Sequence, residues 1–152
     1  MHNFNSPIGW LRIQSENGNL VDIEFMQRKP AVARSPSRLE ANAVAQLGKY
    51  FQKKKQKFNL PLNLNGTDFQ RRVWQALQNI PYGQVKTYGQ LAKELNSSPR
   101  AIGNACRANP FPIVIPCHRV VAANGLGGYA GKTSGPVLER KRWLLAHEGY
   151  QI

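Results

Sequence analysis

Acidic side chains are scarce in this chain of 152 residues: eight Asp and Glu stand against 21 Lys and Arg, a formal net charge of +13 and a pI near 10.3. A surplus that large points to a polyanionic partner such as nucleic acid, with an anionic membrane surface as the alternative. Cysteine is equally sparse. Cys106 and Cys117 alone make no disulfide framework, and a chain long enough to build a core needs none, so a reducing compartment is expected. Three histidines and two cysteines without metal-ligand spacing give a zinc site little support, and no metal or other cofactor is expected. The start, Met1-His2-Asn3-Phe4-Asn5, has no basic stretch leading into an apolar one, and no segment approaches the roughly 18 apolar residues of a membrane span. The expectation is a soluble protein without a membrane partner, cytoplasmic or, in a eukaryote, nuclear. No repeat is visible, and no phosphate-loop lysine pattern suggests a nucleotide triphosphate.

The excess charge is spread along the chain rather than gathered in a tail. From Arg71 to Lys132 eight basic side chains face one acid, Glu94, so the middle of the molecule should carry a positive face. The run Lys53-Lys54-Lys55-Gln56-Lys57 is read as a solvated loop, with DNA contact the lesser alternative.

Two parts follow from the pattern. Ile8 to Phe25 alternates as a hairpin around Asn17-Gly18, with Val21, Ile23 and Phe25 on one face, and Leu39, Ala43, Leu47 and Tyr50 recur at helical spacing after Ser37. Beyond Asn65-Gly66 the chain turns helical. Thr67-Asp68-Phe69-Gln70 is a capping box opening a helix to about Asn79 with Phe69, Val73, Ala76 and Leu77 as its apolar stripe, and Thr87-Tyr88-Gly89-Gln90 opens a second, short one. After Asn96-Ser97-Ser98, with Ser98 as N-cap and Pro99 in the first turn, a third helix runs to about Ala108. A last helix from about Pro136 turns Val137, Leu138, Leu144 and Leu145 inward and ends at Gly149. The fold class expected is α/β: a small N-terminal antiparallel sheet plus helix over residues 1–65, then a mainly helical, winged-helix-like domain over residues 66–152.

The second and third of these helices, joined by a tight polar turn, have the helix-turn-helix layout, whose second helix enters a DNA groove. Ala92 is the small residue at the crossing and Ile102 the apolar residue that holds the second helix to the first. Arg100, Asn104 and Arg107 then lie on the outer side, toward DNA.

Pro116-Cys117-His118-Arg119-Val120 places a thiol beside an imidazole at the end of the apolar run Ile113-Val114-Ile115. The thiolate is the nucleophile and a free cysteine is only a few per cent ionised at neutral pH, so a reactive Cys needs a base or a positive field, which His118 and Arg119 can supply. The bland alternative is a small buried hydrophobe, and that is the reading given to Cys106. Glu148 sits at the end of the last helix, where the dipole disfavours a carboxylate, a misfit that favours function.

The chain from about Gly66 to Gly149 resembles the O6-alkylguanine-DNA alkyltransferases, the methylated-DNA to protein-cysteine methyltransferases. The resemblance is carried by Gly83-Gln84-Val85-Lys86-Thr87-Tyr88, Arg107-Ala108-Asn109-Pro110, Ile115 to Val120 and Lys141 to Gly149. It implies double-stranded DNA with an alkylated guanine as partner, Cys117 as alkyl acceptor, and His118 acting through a water as base with Glu148 orienting it. By the same resemblance Tyr88 donates to the purine, Asn109 joins the recognition helix to the active-site segment, and Arg100 fills the stack when the damaged base is flipped. Gly125 to Gly131 resembles the substrate loop, with Tyr129, Ala130 and Gly131, together with Pro112, Val120 and Val121, around the base. Many relatives carry serine where Ala130 stands, which bears on the range of adducts, O4-alkylthymine included. A thioether product implies one reaction per molecule, by a monomer that can bind DNA cooperatively.

Three other readings compete. A lesion-sensing protein without chemistry is opposed by the presence of Cys117; a regulator of transcription would carry a further cysteine-rich module; a Cys-His peptidase leaves the positive charge and the DNA-reading helices unexplained.

Overall fold

The computed structural model describes residues 1–30, 35–53 and 57–150. The chain divides into two compact units, Met1–Leu64 and Asn65–Ile152.

In the first unit three antiparallel strands lie in the order β1 (His2–Ser6), β2 (Gly9–Glu16), β3 (Asn19–Phe25). The β2–β3 turn is Asn17-Gly18, both at positive φ (50° and 80°), the backbone that a tight hairpin demands. The strand β1 is an addition to the expected hairpin. Its pairing runs from His2 against Ile13 to Ser6 against Gly9. The expected face of Val21, Ile23 and Phe25 is corrected by a bulge: Gln14 pairs with Asp22 and Ser15 with Leu20, so Val21 is skipped and Leu20 joins Ile23 inside. Helix α1 (Arg38–Phe51) begins in a capping box from Ser37 to Glu40 and buries Ala43, Leu47 and Tyr50. Of the lysine run, Lys54, Lys55 and Gln56 lie outside the described residues, as do residues 31–34.

The second unit opens with α2 (Asp68–Gln78), capped by Thr67 and Gln70. Its buried residues are Val73, Trp74 and Leu77; Phe69 and Ala76 are only half-buried. Trp74 reaches further than the apolar stripe suggested because its indole N–H donates to the Ala105 carbonyl at 2.9 Å, which satisfies the one polar atom of a fully buried ring. Then come β4 (Lys86–Thr87), α3 (Tyr88–Glu94) and α4 (Pro99–Arg107), with Ser98 capping α4 through the Ala101 N–H. Between α3 and α4 the chain reverses through Asn96 at φ 53°, and the Ser97 N–H bonds the Ala92 carbonyl at 2.8 Å. Ala92 and Ile102 are buried at the crossing.

After α4 come a 3₁₀ turn (Cys117–Arg119), β5 (Val120–Val121) and α5 (Gly135–His147). The pairing of β5 with β4 is parallel, Lys86 to Val120 and Thr87 to Val121, and it ties the segment carrying Cys117 to the start of the helix-turn-helix. No helix of the described residues is long and apolar enough to cross a membrane.

Candidate active site

Cys117 is presented by a segment with almost no regular structure. The run Ile113-Val114-Ile115 is a buried turn rather than a strand, and Ile113 is held at φ 76°, a conformation that a β-branched side chain strongly resists. What holds it is Asn109. The Asn109 carboxamide oxygen accepts from the Phe111 N–H at 2.9 Å, and its amide donates to the Ile115 carbonyl at 2.7 Å. That same carbonyl accepts the Cys117 N–H at 2.8 Å, a three-residue turn centred on Pro116 at φ −82°, ψ 66°. One asparagine therefore closes the loop from the end of α4 to the thiol.

His118 is fully buried, and its Nε2 lies 2.7 Å from Glu148 Oε2. Glu148 Oε1 accepts from the Gly83 N–H at 3.1 Å, and Arg119 donates to both oxygens, Nε to Oε1 at 2.8 Å and a terminal nitrogen to Oε2 at 3.0 Å. Burial pushes the Glu148 carboxyl up, but His118 and Arg119 together more than cancel this and hold it well below the usual carboxylate range. An ionised carboxylate can only accept, so His118 Nε2 carries the proton. Burial pushes the His118 imidazole down, against the pull of Glu148, so the ring is neutral. The lone pair is then on Nδ1, a buried atom with no hydrogen-bond partner among the described residues. This is a base with its tautomer fixed.

Arg119 does not serve Cys117 as the sequence suggested. Its guanidinium is spent on Glu148 and on the Ile80 carbonyl at 2.7 Å, and it lies over the Tyr82 ring at 5.8 Å. The positive charge felt at the thiol is that of Lys141, a residue singled out only as part of a motif. Burial pushes the Cys117 thiol up; the Asn109 amide and Lys141 partly offset it. The resting nucleophile is therefore the neutral thiol, which must lose its proton to react.

Cys117 opens into a pocket of about 250 Å³ whose wall includes Tyr88, Cys106, Arg107, Tyr129 and Gly131. Asn104 and Ala130 also line it; Pro112, Val120, Val121, Asn109 and Arg100 do not. Pro112 is half-buried in the loop before Cys117 and Arg100 is exposed at the start of α4, while Asn104 and Arg107 are exposed further along the same helix. Val120 and Val121 are buried in β5. Cys106, read as packing, thus shares one wall with Cys117, and burial pushes its thiol up, keeping it protonated. The loop folds tightly over this pocket. At Gly127, φ 74°, a Cβ would lie 3.0 Å from Tyr88 Cε2 and 3.2 Å from the Ala122 nitrogen, while the Tyr88 hydroxyl donates to the Gly128 carbonyl at 3.3 Å. Burial pushes the Tyr88 phenol up, so it remains a donor. The Tyr129 hydroxyl is buried without a partner among the described residues. Among those residues no cluster of His, Cys, Asp and Glu is gathered to hold a metal.

Two functional candidates escaped the sequence reading. The pairing of Arg119 with Glu148 spans 29 residues and has no local signal. Lys141 had one: it lies on the same three- and four-residue spacing as the inward-facing Leu138, Leu144 and Leu145, where a solvated lysine does not belong.

A pocketed thiol, an imidazole with a fixed tautomer and a buried carboxylate, all on a domain with a helix-turn-helix, define a cysteine-nucleophile protein of the DNA-binding kind. Residues 68–150 match the family model of the 6-O-methylguanine DNA methyltransferase DNA-binding domain. The chain is 42% identical over 94% of its length to the methylated-DNA–protein-cysteine methyltransferase of Mycolicibacterium paratuberculosis, covering 88% of that protein. It is 40% identical to that of Methanosarcina acetivorans over 96% of each. The crystal structure of Mycobacterium tuberculosis O6-methylguanine methyltransferase superposes with a TM-score of 0.80 at 38% identity, over 96% of this chain and 90% of that one. The chain belongs to the methylated-DNA–protein-cysteine methyltransferase family.

Proposed function

We propose that this protein repairs DNA directly, by moving an alkyl group from O6 of guanine in double-stranded DNA to Cys117, once per molecule. The single observation that carries the reading is the His118–Glu148 pair behind the pocketed thiol, which leaves His118 Nδ1 as a free, buried lone pair beside Cys117 in sequence.

The reaction is a displacement at carbon. Cys117 Sγ bonds the alkyl carbon as the carbon–O6 bond breaks, and the electron pair of that bond stays with the purine. The thiol proton passes through a water to His118 Nδ1, and Glu148 stabilises the imidazolium that forms. Tyr88 donates to the purine as its charge develops, its O–H turning from the Gly128 carbonyl, and burial keeps the phenol protonated for that role. No group lining the pocket can displace the sulfur of a thioether, so the protein is consumed. Guanine O6 inside a duplex lies beyond reach of a buried sulfur, so the nucleotide has to be flipped out; Arg100 then fills the stack, while Asn104 and Arg107 hold the backbone or base edges. Tyr129, Ala130 and Gly131 flank the alkyl group, with Pro112, Val120 and Val121 bordering the base, and Asn109 transmits the placing of α4 to Cys117. Residues 66–152 carry these functions and residues 1–65 support them. The working form is a monomer in the cytoplasm or nucleus, where DNA is.

Incubation with a duplex containing one O6-methylguanine, followed by intact mass measurement and peptide mapping, is expected to show one methyl gained on Cys117 and none in Cys117→Ala. An unchanged mass with tighter binding to the lesion duplex than to an undamaged one would replace repair with lesion sensing.

A further inference from the structure

We propose that Lys141 is a positioning residue for this reaction: one buried ammonium clamps the nucleophile's turn to the substrate loop and sets its charge toward the Cys117 sulfur.

Lys141 is wholly buried on α5, and among the described residues no carboxylate is paired with it. A leucine or methionine on that stripe would avoid the desolvation of a charge, so the ammonium persists at a cost to stability. Two of its three donors are spent on backbone: Nζ donates to the Val120 carbonyl at 2.6 Å and to the Gly128 carbonyl at 2.8 Å. Val120 closes the 3₁₀ turn of Cys117, its N–H donating to the Cys117 carbonyl. Gly128 belongs to the loop that lines the pocket, and its carbonyl also accepts from Tyr88, whose ring lies 5.7 Å from Nζ. The lysine therefore joins the thiol's turn, the loop and the tyrosine at one point.

The second half of the role is electrostatic. The groups whose ionisation feels this charge are Cys117 and His118 from the turn and Cys106 from α4, with the Tyr88 ring of α3 beside it. Burial holds the ammonium down to about 8, while Cys117 and then Cys106 pull it back up. The same coupling favours the thiolate over the thiol at Cys117 and the neutral ring over the imidazolium at His118. Because the thiol is still protonated where the lysine titrates, loss of the ammonium charge should make Cys117 harder to ionise above that pH.

The proposal rests on alkyl transfer to Cys117, and its test separates the two. The rate of iodoacetamide capture at Cys117, located by peptide mapping, is followed against pH in the whole protein for wild type, Lys141→Met and Lys141→Arg. The Met variant keeps the volume and loses the charge, and its reactivity profile is expected to move up by at least about one pH unit, a roughly tenfold slower capture at neutral pH. Methyl transfer from the lesion duplex should fall at least as far. The Arg variant, which keeps the charge, should return much of the profile. Should Lys141→Met prove unfolded, the wild type still decides: the Lys141 ε-carbon NMR signal locates the pH at which the ammonium is lost, and capture at Cys117 should stop rising in proportion to hydroxide above that pH. An unmoved capture profile in a folded Met variant, or a wild-type profile that rises uniformly through the lysine titration, overturns the proposal. Wild type that reacts with iodoacetamide yet takes no methyl from DNA overturns the repair reading instead.

Discussion

Each of the two units buries one carboxylate at the end of a helix, and they are opposite ends. Glu40 lies in the first turn of α1, where the dipole welcomes a negative charge, and is held by the Ser37 N–H, the Ser15 hydroxyl at 2.6 Å and the Met1 ammonium at 2.9 Å. Glu148 caps the C-terminus of α5, where the dipole opposes it, and is held from far along the chain by Gly83, His118 and Arg119. Glu40 is a local solution to a local problem. Glu148 is placed against local preference and compensated by partners brought in by the fold, which is the arrangement expected where a site, and not the helix, dictates the residue. The rest of the buried polar side chains among the described residues agrees: His118, Arg119 and Lys141 all belong to the second unit, while the first adds Ser6.

The largest effect that can break this comparison comes from the two Glu→Gln exchanges. Glu148→Gln leaves the Arg119 guanidinium buried without a counter-charge, which should cost about 3–5 kcal/mol of stability. It also removes the group that fixes the His118 tautomer, so alkyl transfer should slow by at least about 100-fold. Glu40→Gln should cost only about 1–3 kcal/mol, through weakened hydrogen bonds, with the rate per folded molecule unchanged. Urea melts and single-turnover transfer rates measure both. Equal stability losses, or a slowed Glu40→Gln, would erase the distinction between the two carboxylates.

A smaller effect separates two glycines. At Gly18, φ 80°, a Cβ would meet nothing within 4 Å, so Gly18→Ala should cost about 1 kcal/mol, from backbone strain alone. Gly127→Ala adds contacts with the Tyr88 ring and the Ala122 backbone to the same strain, and is expected to cost about 2–3 kcal/mol and to slow transfer by moving Tyr88. Thermal melts with transfer rates would show it; a Gly127→Ala as benign as Gly18→Ala would mean that the loop yields and does not position the tyrosine.

The same division between local and distant causes explains what could be read from the sequence. Caps, turns and helix ends were legible because they depend on residues three or four apart: Thr67 with Gln70, Thr87 with Gln90, Ser98 with Ala101, Asn17-Gly18. The outward placement of Arg100, Asn104 and Arg107 follows from α4 alone. Strand β1 was missed because its polar sequence, His2 to Ser6, shows little alternation, and Val21 was misplaced because a bulge changes the face without marking the sequence. At the site, Cys117, His118 and Glu148 were legible as residue types and through family resemblance. Which nitrogen of His118 is free, where Arg119 points and what Lys141 holds were not, since each depends on partners 13 to 39 residues away.

The smallest expected effect is the onset of acid lability, and it distinguishes the units by sign and by window. His118 is held below its unfolded value of 6.5, so below that pH the unfolded chain binds a proton that the folded one refuses. Stability then falls as pH falls, with a slope of at most about 1.4 kcal/mol per pH unit for one group. Glu40 and Glu148 are both lowered from 4.5, so their contributions are complete above that value and are lost only as pH drops through it toward their folded values. The second unit should therefore begin to weaken between pH 6.5 and 4.5, while the first holds until about pH 4.5. Hydrogen exchange, corrected for its intrinsic pH dependence, can follow both in one sample: the Trp74 indole N–H, bonded to Ala105, reports on the second unit and the amides of α1 on the first. Parallel loss of protection in both units, starting only below pH 4.5, would mean that His118 accepts its proton without strain and that the buried pair is not held in the neutral-imidazole form which the transfer requires.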